Sequence, residues 1–462
     1  MGLNEHDGDE RAPRDDSGER REDARAVAME RIASLASRFP DLGLPEQERD
    51  EAPIPPLARA IEHEVRRRWL TLAAICERSL DRGSWQRLEP RLKATLLVGA
   101  AQLLFLDGEP DHAVVDAAVS WASKRIRRGA GGLANAVLRR VAESRLERLA
   151  AGDPSATSFE RHRDVLPRRD GSAWRLASET FAAEPVERLS EQTSHGRELL
   201  LHWTNAHGFK VARDLAAHGL LSAPTILAGP ETAFPDDGCL EPHEATGFRV
   251  FVGEPGSLAK FLEAHPRLRV QDPGSAAPVE ATAALRPRRI LDLCAGRGTK
   301  TRQLAARHPT AEIVAVEPNE SRRQDLERLA ASLPQVRVIG HDGLPSLAGS
   351  IDLALLDVPC SNTAVLPRRP EARYRFTRKR LEGLVETQRE IARAAEPLLS
   401  PSAAVLYATC SLEPAENERQ AAWIAERFGM SIRTGAVRLP RGLPGESASR
   451  YADGGFHALL ER

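Results

Sequence analysis

The chain has 462 residues, 41% hydrophobic and 28% charged, with a formal net charge of -1. That length allows roughly three domains at ~150 residues each and a core that needs no disulfide staples. No apolar run approaches the ~18–20 residues of a membrane span, and the polar, acidic N-terminus resembles neither a secretory signal nor a transit peptide. A near-zero charge gives the whole-protein field no pull on an anionic partner, so nucleic-acid binding must come from local patches. Cysteines 76, 239, 294, 360 and 410 lie far apart with no CxxC pair. This suits a reducing cytosol, implies a cytoplasmic protein, and implies neither a disulfide framework nor a metal site.

Residues 1–24 carry nine acidic and four arginine side chains and almost no large apolar ones, which predicts a disordered tail. Residues 25–150 read as an all-α domain. Leu92, Leu96, Leu97, Ala100, Leu103 and Leu104 recur at helical spacing. Pro110-Asp111 marks a new start, with Val114, Val115, Ala118 and Trp121 on one face. Gly129, Gly131 and Gly132 read as a break before a helix from Leu133 to Arg140, and no strand is expected.

Residues 151–285 read as linker helices followed, from Pro224 to Val270, by a small mixed subdomain of short β-like runs. From 286 to 462, apolar runs (RRILDLC, AEIVAVE, VRVIG, IDLALLD, AAVLYATC) alternate with helical stretches. Such alternation predicts an α/β, doubly wound, mostly parallel sheet. Ligands of these sheets bind beyond the carboxyl ends of the strands, so the informative residues follow each strand.

The first strand leads into Cys294-Ala295-Gly296-Arg297-Gly298-Thr299-Lys300, a glycine turn opening a helix but lacking the GK[ST] ending of a P-loop. Glu317, Asp342 and Asp357 follow the next three strands. Any one of these acids alone reads as a cap or a surface charge. A glycine loop and three acids at four successive strand ends describe a pocket for an adenosine-bearing ligand without a phosphate clamp, which S-adenosylmethionine fits. Cys360 and Cys410 also follow strands and can face the same crevice. An isolated cysteine is usually a small buried hydrophobe. Two beside a methyl-donor pocket suit covalent catalysis, because a thiolate adding to C6 of cytosine makes C5 nucleophilic.

Two resemblances attach to these residues. LLVGAAQLLFLDGEPDHAVVDAAVSWASK followed by GLANAVLRR resembles the NusB-like, RNA-binding N-terminal domain of bacterial ribosomal RNA cytosine-5 methyltransferases. The 294–300 loop, DVPCSN at Cys360, TCS at Cys410 with its trailing ENE, and the stretch from QDPGSAAP to DGGFHALL resemble the NOL1/NOP2/Sun family of RNA cytosine-5 methyltransferases. The resemblance implies a Rossmann-like methyltransferase domain, Cys410 as nucleophile and Cys360 as the group assisting product release. It also implies Cys294, Ala295, Gly296, Arg297, Gly298, Thr299, Lys300, Glu317, Asp342 and Asp357 as methyl-donor contacts. The chain departs from the family pattern at Arg297 and Thr299, where proline and glycine are usual, and at Asn362, where glycine is usual.

Between Val365 and Arg380 stand seven basic residues and one acid, interleaved with Tyr374 and Phe376. A charge run is usually a solvated face. Its place beside Cys360 makes Arg368, Arg369, Arg373 and Arg375 candidate RNA contacts. The reading is therefore methylation of cytosine C5 in RNA, with 16S ribosomal RNA as the expected substrate. A transfer RNA substrate, or an RNA scaffold whose altered loop has lost the donor, are the alternatives. Oligomeric state has no sequence signal.

Overall fold

The computed structural model describes residues 16–43, 54–254 and 256–462. Residues 1–15 of the expected tail lie outside the described residues. Residues 16–24 do not follow that expectation, because helix α1 already begins at Asp16 and runs to Ala36. The described residues form two compact units, one drawn from 16–148, 162–166 and 174–183, the other from 149–161, 167–173 and 184–462.

The first unit is helical, as its periodicity requires: α1, then α2 (Pro56–Arg78), α3 (Pro90–Phe105), α4 (Asp111–Arg125) and α5 (Arg128–Glu143). α3 is the hub, and its Leu92, Leu96, Leu97 and Leu104 are at most 1% exposed. The three glycines do not break the chain, because α5 runs straight through them. A Cβ at Gly131 would lie 2.0 Å from Ser123 Oγ and 3.0 Å from the Val119 carbonyl, so this glycine lets α5 approach α4 closely. Strands are also present. β1 (Arg145–Leu149) joins a sheet of order β1-β3-β2 with β2 (Val165–Pro167) and β3 (Ala173–Leu176). The RLERL sequence of β1 is largely exposed and shows no apolar alternation, which hid it.

The second unit continues with short α6 (Pro154–Thr157), then α7 (Pro185–Thr193), α8 (Arg197–His207) and α9 (Phe209–His218). A four-stranded sheet of order β5-β6-β4-β7 follows, from β4 (Ile226–Ala228), β5 (Leu240–Pro242), β6 (Phe248–Phe251) and β7 (Arg269–Val270), with α10 (Leu258–Ala264) before β7. These strands, all paired antiparallel, fall in the Pro224–Val270 stretch.

The remaining elements are α11 (Pro273–Glu280), β8 (Arg289–Asp292), α12 (Thr299–Arg307), β9 (Glu312–Val316), α13 (Glu320–Ala330), β10 (Val336–Ile339), β11 (Ile351–Asp357), α14 (Ala372–Arg375), α15 (Arg378–Ala395), β12 (Leu399–Thr409), α16 (Glu418–Phe428), β13 (Ser431–Arg438) and β14 (Gly455–Glu461). The sheet order is β10-β9-β8-β11-β12-β14-β13. The first five strands are parallel, and β14 and β13 are antiparallel. Both faces are covered. Leu353 and Leu355 of β11 pack with Ile290, Ile313 and Leu304 on one side. Ala354 and Leu356 pack with Leu291, Val314 and Ala392 on the other. Burial on two faces is why these strands read as continuous apolar runs rather than alternating ones. The order reverses at β8, which opens a crevice at the strand carboxyl ends.

Candidate active site

β11 and β12 are adjacent, with Asp357 opposite Ala408. The chain passes the end of each strand and delivers one cysteine. Cys360 and Cys410 meet there with their sulfurs 3.1 Å apart. Cys360 is buried and Cys410 partly exposed. The hydrogen bond to Cys410, burial and nearby Glu416 together push the Cys360 thiol well above its ordinary range. Cys360 is thus held as a neutral, proton-bearing group.

The loops after the two strands are tied to one carboxylate. Glu416 Oε2 accepts from Ser361 Oγ and from Ser411 Oγ, both at 2.6 Å. Its Oε1 accepts from the Ser361 backbone N–H at 2.9 Å and from Gln388 Nε2 at 3.0 Å. Each serine directly follows one of the cysteines, so a single side chain fixes both thiols. Burial raises the Glu416 pKa against these hydrogen bonds. Gly455 makes room for the end of β12, since a Cβ there would lie 2.7 Å from the Thr409 carbonyl.

Asn362 adopts the left-handed conformation, φ 60°, which asparagine tolerates better than most residues. Its Nδ2 donates to the Cys360 carbonyl at 2.8 Å, and its Oδ1 accepts from the Cys410 thiol at 3.0 Å. The departure from the family pattern therefore adds a polar group against Cys410. Sequence reading marked the position as a departure but did not reveal this contact.

On the donor side, Gly296 (φ 58°) and Gly298 (φ 86°) are both left-handed. A Cβ on Gly298 would lie 2.4 Å from Leu329 and 2.8 Å from Leu326, whereas Gly296 faces open space. Arg297, in place of the usual proline, pairs with Asp325 of α13 at 2.8 Å and anchors the loop. Cys294 and Ala295 lead into this turn and Thr299 opens α12. Burial pushes the Cys294 thiol up, which makes it a neutral lining group. Lys300 Nζ donates to Asp357 Oδ2 at 2.7 Å, so these two expected donor contacts also hold each other. Glu317 is buried, with Oε1 accepting from the Asn319 N–H at 2.8 Å. Asp342 lies exposed in the 3-10 turn after β10.

Sequence reading missed Asp292, the last residue of β8. It is 1% exposed, accepts from Thr301 Oγ1 at 2.7 Å, and leaves Oδ1 buried without a hydrogen bond. Burial raises its pKa to about 7, and nearby Asp357 adds to the rise. An orphaned buried carboxylate oxygen beside the glycine loop fits a ligand bearing a donor group, such as the amino group of S-adenosylmethionine. Its signal was its place at a strand end.

The expected RNA-binding arginines divide. A groove of about 510 Å³ runs from Cys360 and Asn362 along Arg375, Phe376, Arg380 and Thr387. Arg375 faces it and Arg380 joins it. Arg373 is fully buried and donates to the Gly219 carbonyl at 2.7 Å, so it braces the interior rather than offering its charge to a phosphate. Arg368 is also committed inward, binding Asp453 at 2.5 Å and Asp272 at 3.4 Å. Arg369 is half-buried and outside the groove lining. A run of charge in sequence does not reveal which members turn inward.

Comparison with known proteins gives this geometry its context. Residues 282–428 match the family described as 16S rRNA methyltransferase RsmB/F, and residues 23–143 match the NusB family. Ribosomal RNA small subunit methyltransferase B of Vibrio cholerae is 30% identical over 381 residues, covering 79% of this chain and 80% of that protein. The chain belongs to the RsmB/F methyltransferase family. A second family member, the methyltransferase B of Cronobacter sakazakii, is 32% identical over 41% of this chain and 46% of its own. In fold, the crystal structure of PH0851 superposes with a TM-score of 0.66 at 18% identity, over 95% of this chain and 99% of that one.

Proposed function

We propose that this RsmB/F family member is a cytoplasmic, S-adenosylmethionine-dependent RNA cytosine-5 methyltransferase acting on 16S ribosomal RNA. The observation that carries the reading is the pair of sulfurs 3.1 Å apart at neighbouring strand ends, opening onto a basic and aromatic groove. The 294–300 loop, Asp292, Glu317, Asp342 and Asp357 would hold S-adenosylmethionine, which supplies an electrophilic methyl group when bound.

The protein's own residues divide the work. An unpaired or extruded cytosine enters along Arg375, Arg380 and Phe376, because a base inside a duplex cannot be reached. Cys410 adds as a thiolate to C6, and the C5–C6 π electrons move to C5, which becomes the nucleophile for the methyl group. A base then takes the C5 proton, the C5–H electron pair re-forms the C5–C6 double bond, and the S–C6 bond breaks with its electrons going to the Cys410 sulfur. Cys360, kept as a neutral thiol, can protonate that leaving sulfur and so assist release. Lys300 stands within electrostatic range of Cys410.

The test is bisulfite sequencing of ribosomal and transfer RNA from a deletion strain. Loss of one 5-methylcytosine in 16S ribosomal RNA is expected. Loss confined to transfer RNA would reassign the substrate, and an unchanged pattern in both would overturn the reading. Titration with S-adenosylmethionine separates an enzyme from a scaffold, which would show no heat.

A further inference from the structure

A second cavity, of about 390 Å³, lies away from the cysteines, between the β4–β7 sheet and the C-terminal end of α12. Gly229, Gly247, Phe248 and Arg269 line it from the sheet, and Glu280, Gln303 and Arg307 from α11 and α12. α12 has nine residues, so its two ends stand about 12 Å apart at 1.5 Å per residue. Its N-terminal end carries the donor loop and its C-terminal end carries this cavity.

The charge here is unbalanced. Arg307 pairs with Glu280. Among the described residues Arg302 donates to the Pro266 and Leu268 carbonyls, at 2.5 and 3.2 Å. Arg269 has no carboxylate partner among the described residues, and its Nε donates to Gln271 Oε1 at 2.5 Å. Gln271 is itself engaged by Gln303, at 2.6 Å. Arg269 and Arg307 thus line the cavity with Glu280 as the one carboxylate of its lining, and Arg302 acts on Arg269 electrostatically from nearby. Burial first, then the neighbouring Arg302 and Arg307, lower Arg269 to about 10, so it is still charged at neutral pH. A half-buried guanidinium without a counter-ion is costly in the free protein and is relieved by an anion that completes it. The planar fork of a guanidinium matches phosphate oxygens two at a time.

We propose that this cavity is a phosphate site, taking a phosphodiester of the RNA strand on Arg269 with Arg302 and Arg307 behind it. The RNA assignment rests on the proposed function, whereas the phosphate chemistry does not. The same chemistry would accept free inorganic phosphate, and the experiment separates the two. Binding of a 16S ribosomal RNA transcript is measured from 50 to 300 mM salt for wild type, Arg269→Gln and Arg269→Lys. Arg269→Gln should weaken binding about 3- to 10-fold and flatten the log–log salt slope by roughly one contact, ~0.7–0.9. Arg269→Lys should restore most of both, and the heat of S-adenosylmethionine binding should not change. Equal slopes in wild type and Arg269→Gln would overturn the RNA assignment. Inorganic phosphate is then added to a thermal melt. A stabilisation lost in Arg269→Gln would mark a free-phosphate site, and no stabilisation together with equal slopes would overturn the site itself. If no variant bound RNA while phosphate still stabilised the wild type, the RNA reading of the whole protein would fail and the anion site would stand.

Discussion

The side-chain carbonyl of Asn362 lies 3.0 Å from the sulfur of Cys410, while its amide donates to the Cys360 carbonyl at 2.8 Å. One carboxamide thereby spans both thiol-bearing loops. Glycine would keep the left-handed turn without strain and lose both contacts. Asn362→Gly should therefore fold normally yet form the covalent RNA adduct about 3- to 10-fold more slowly, with KM for RNA unchanged. Asn362→Ala adds a left-handed penalty of about 1 kcal/mol and should also lower the melting temperature. Single-turnover methyl transfer and thermal melts check both, and wild-type rates in Asn362→Gly would show that the carboxamide is idle.

The two cysteines should fail differently. Cys410→Ser should abolish methyl transfer, since a hydroxyl does not replace the thiolate. Cys360→Ala should trap the RNA on the protein, visible as a shifted band on a denaturing gel. An adduct that needs Cys360 and survives loss of Cys410 would reverse the assignment.

Glu416 accepts four hydrogen bonds from three residues inside the protein. In Glu416→Gln an NH2 group must face hydroxyl or amide donors. The cost of an unmatched buried polar group is about 1–3 kcal/mol. A fall in melting temperature is expected, with slower adduct formation as the two serines lose their common anchor. Glu416→Asp, shorter but still an acceptor, should fall between.

Stability should also report on Asp292. Burial lifts its folded pKa to about 7, above the usual carboxylate value. The folded state therefore binds the proton more tightly than the unfolded chain. The resulting stability is full below the ordinary carboxylate pKa and is lost as pH rises through about 7. Asp292→Asn removes this titration. Between pH 4.5 and 8, the melting temperature of the variant should fall less steeply than that of the wild type. Parallel curves would show that Asp292 ionises normally.

The arginines that part company in the structure should part company in solution. Arg375 also pairs with the buried Glu371, so the exposed Arg380 is the cleaner probe, and Arg380→Glu should weaken RNA binding about 3- to 10-fold and leave the melting temperature nearly unchanged. Arg373→Ala should do the opposite, because it empties a fully buried position and strands the Gly219 carbonyl. Arg368→Ala leaves Asp272 and Asp453 without their shared cation and should also destabilise.

The five parallel strands of the second unit were legible because burial on both faces writes itself as unbroken apolar runs, and their ends located Cys360, Cys410 and the acids, whereas the exposed β13 carried no such run. The helices of the first unit were legible from their period. Gly131 was misread because a helix–helix approach and a helix break use the same residue. β1 was missed because an exposed strand carries no apolar rhythm. The burial of Arg373 depends on carbonyls far away in sequence, at Thr193 and Gly219. No local pattern encodes such partners. The same holds for Glu416, whose residue type fits a helix start as well as an anchor for two loops.

The thiol pair rides on β11 and β12, whose relative register is held by main-chain hydrogen bonds. Sequence drift among the aliphatic side chains behind these strands can therefore proceed, one volume-matched exchange at a time, without moving either sulfur. Insertions and deletions have no such freedom. A single added residue in either strand would turn its cysteine toward the opposite layer of helices, so descent in this lineage should tolerate replacement there and refuse changes of length.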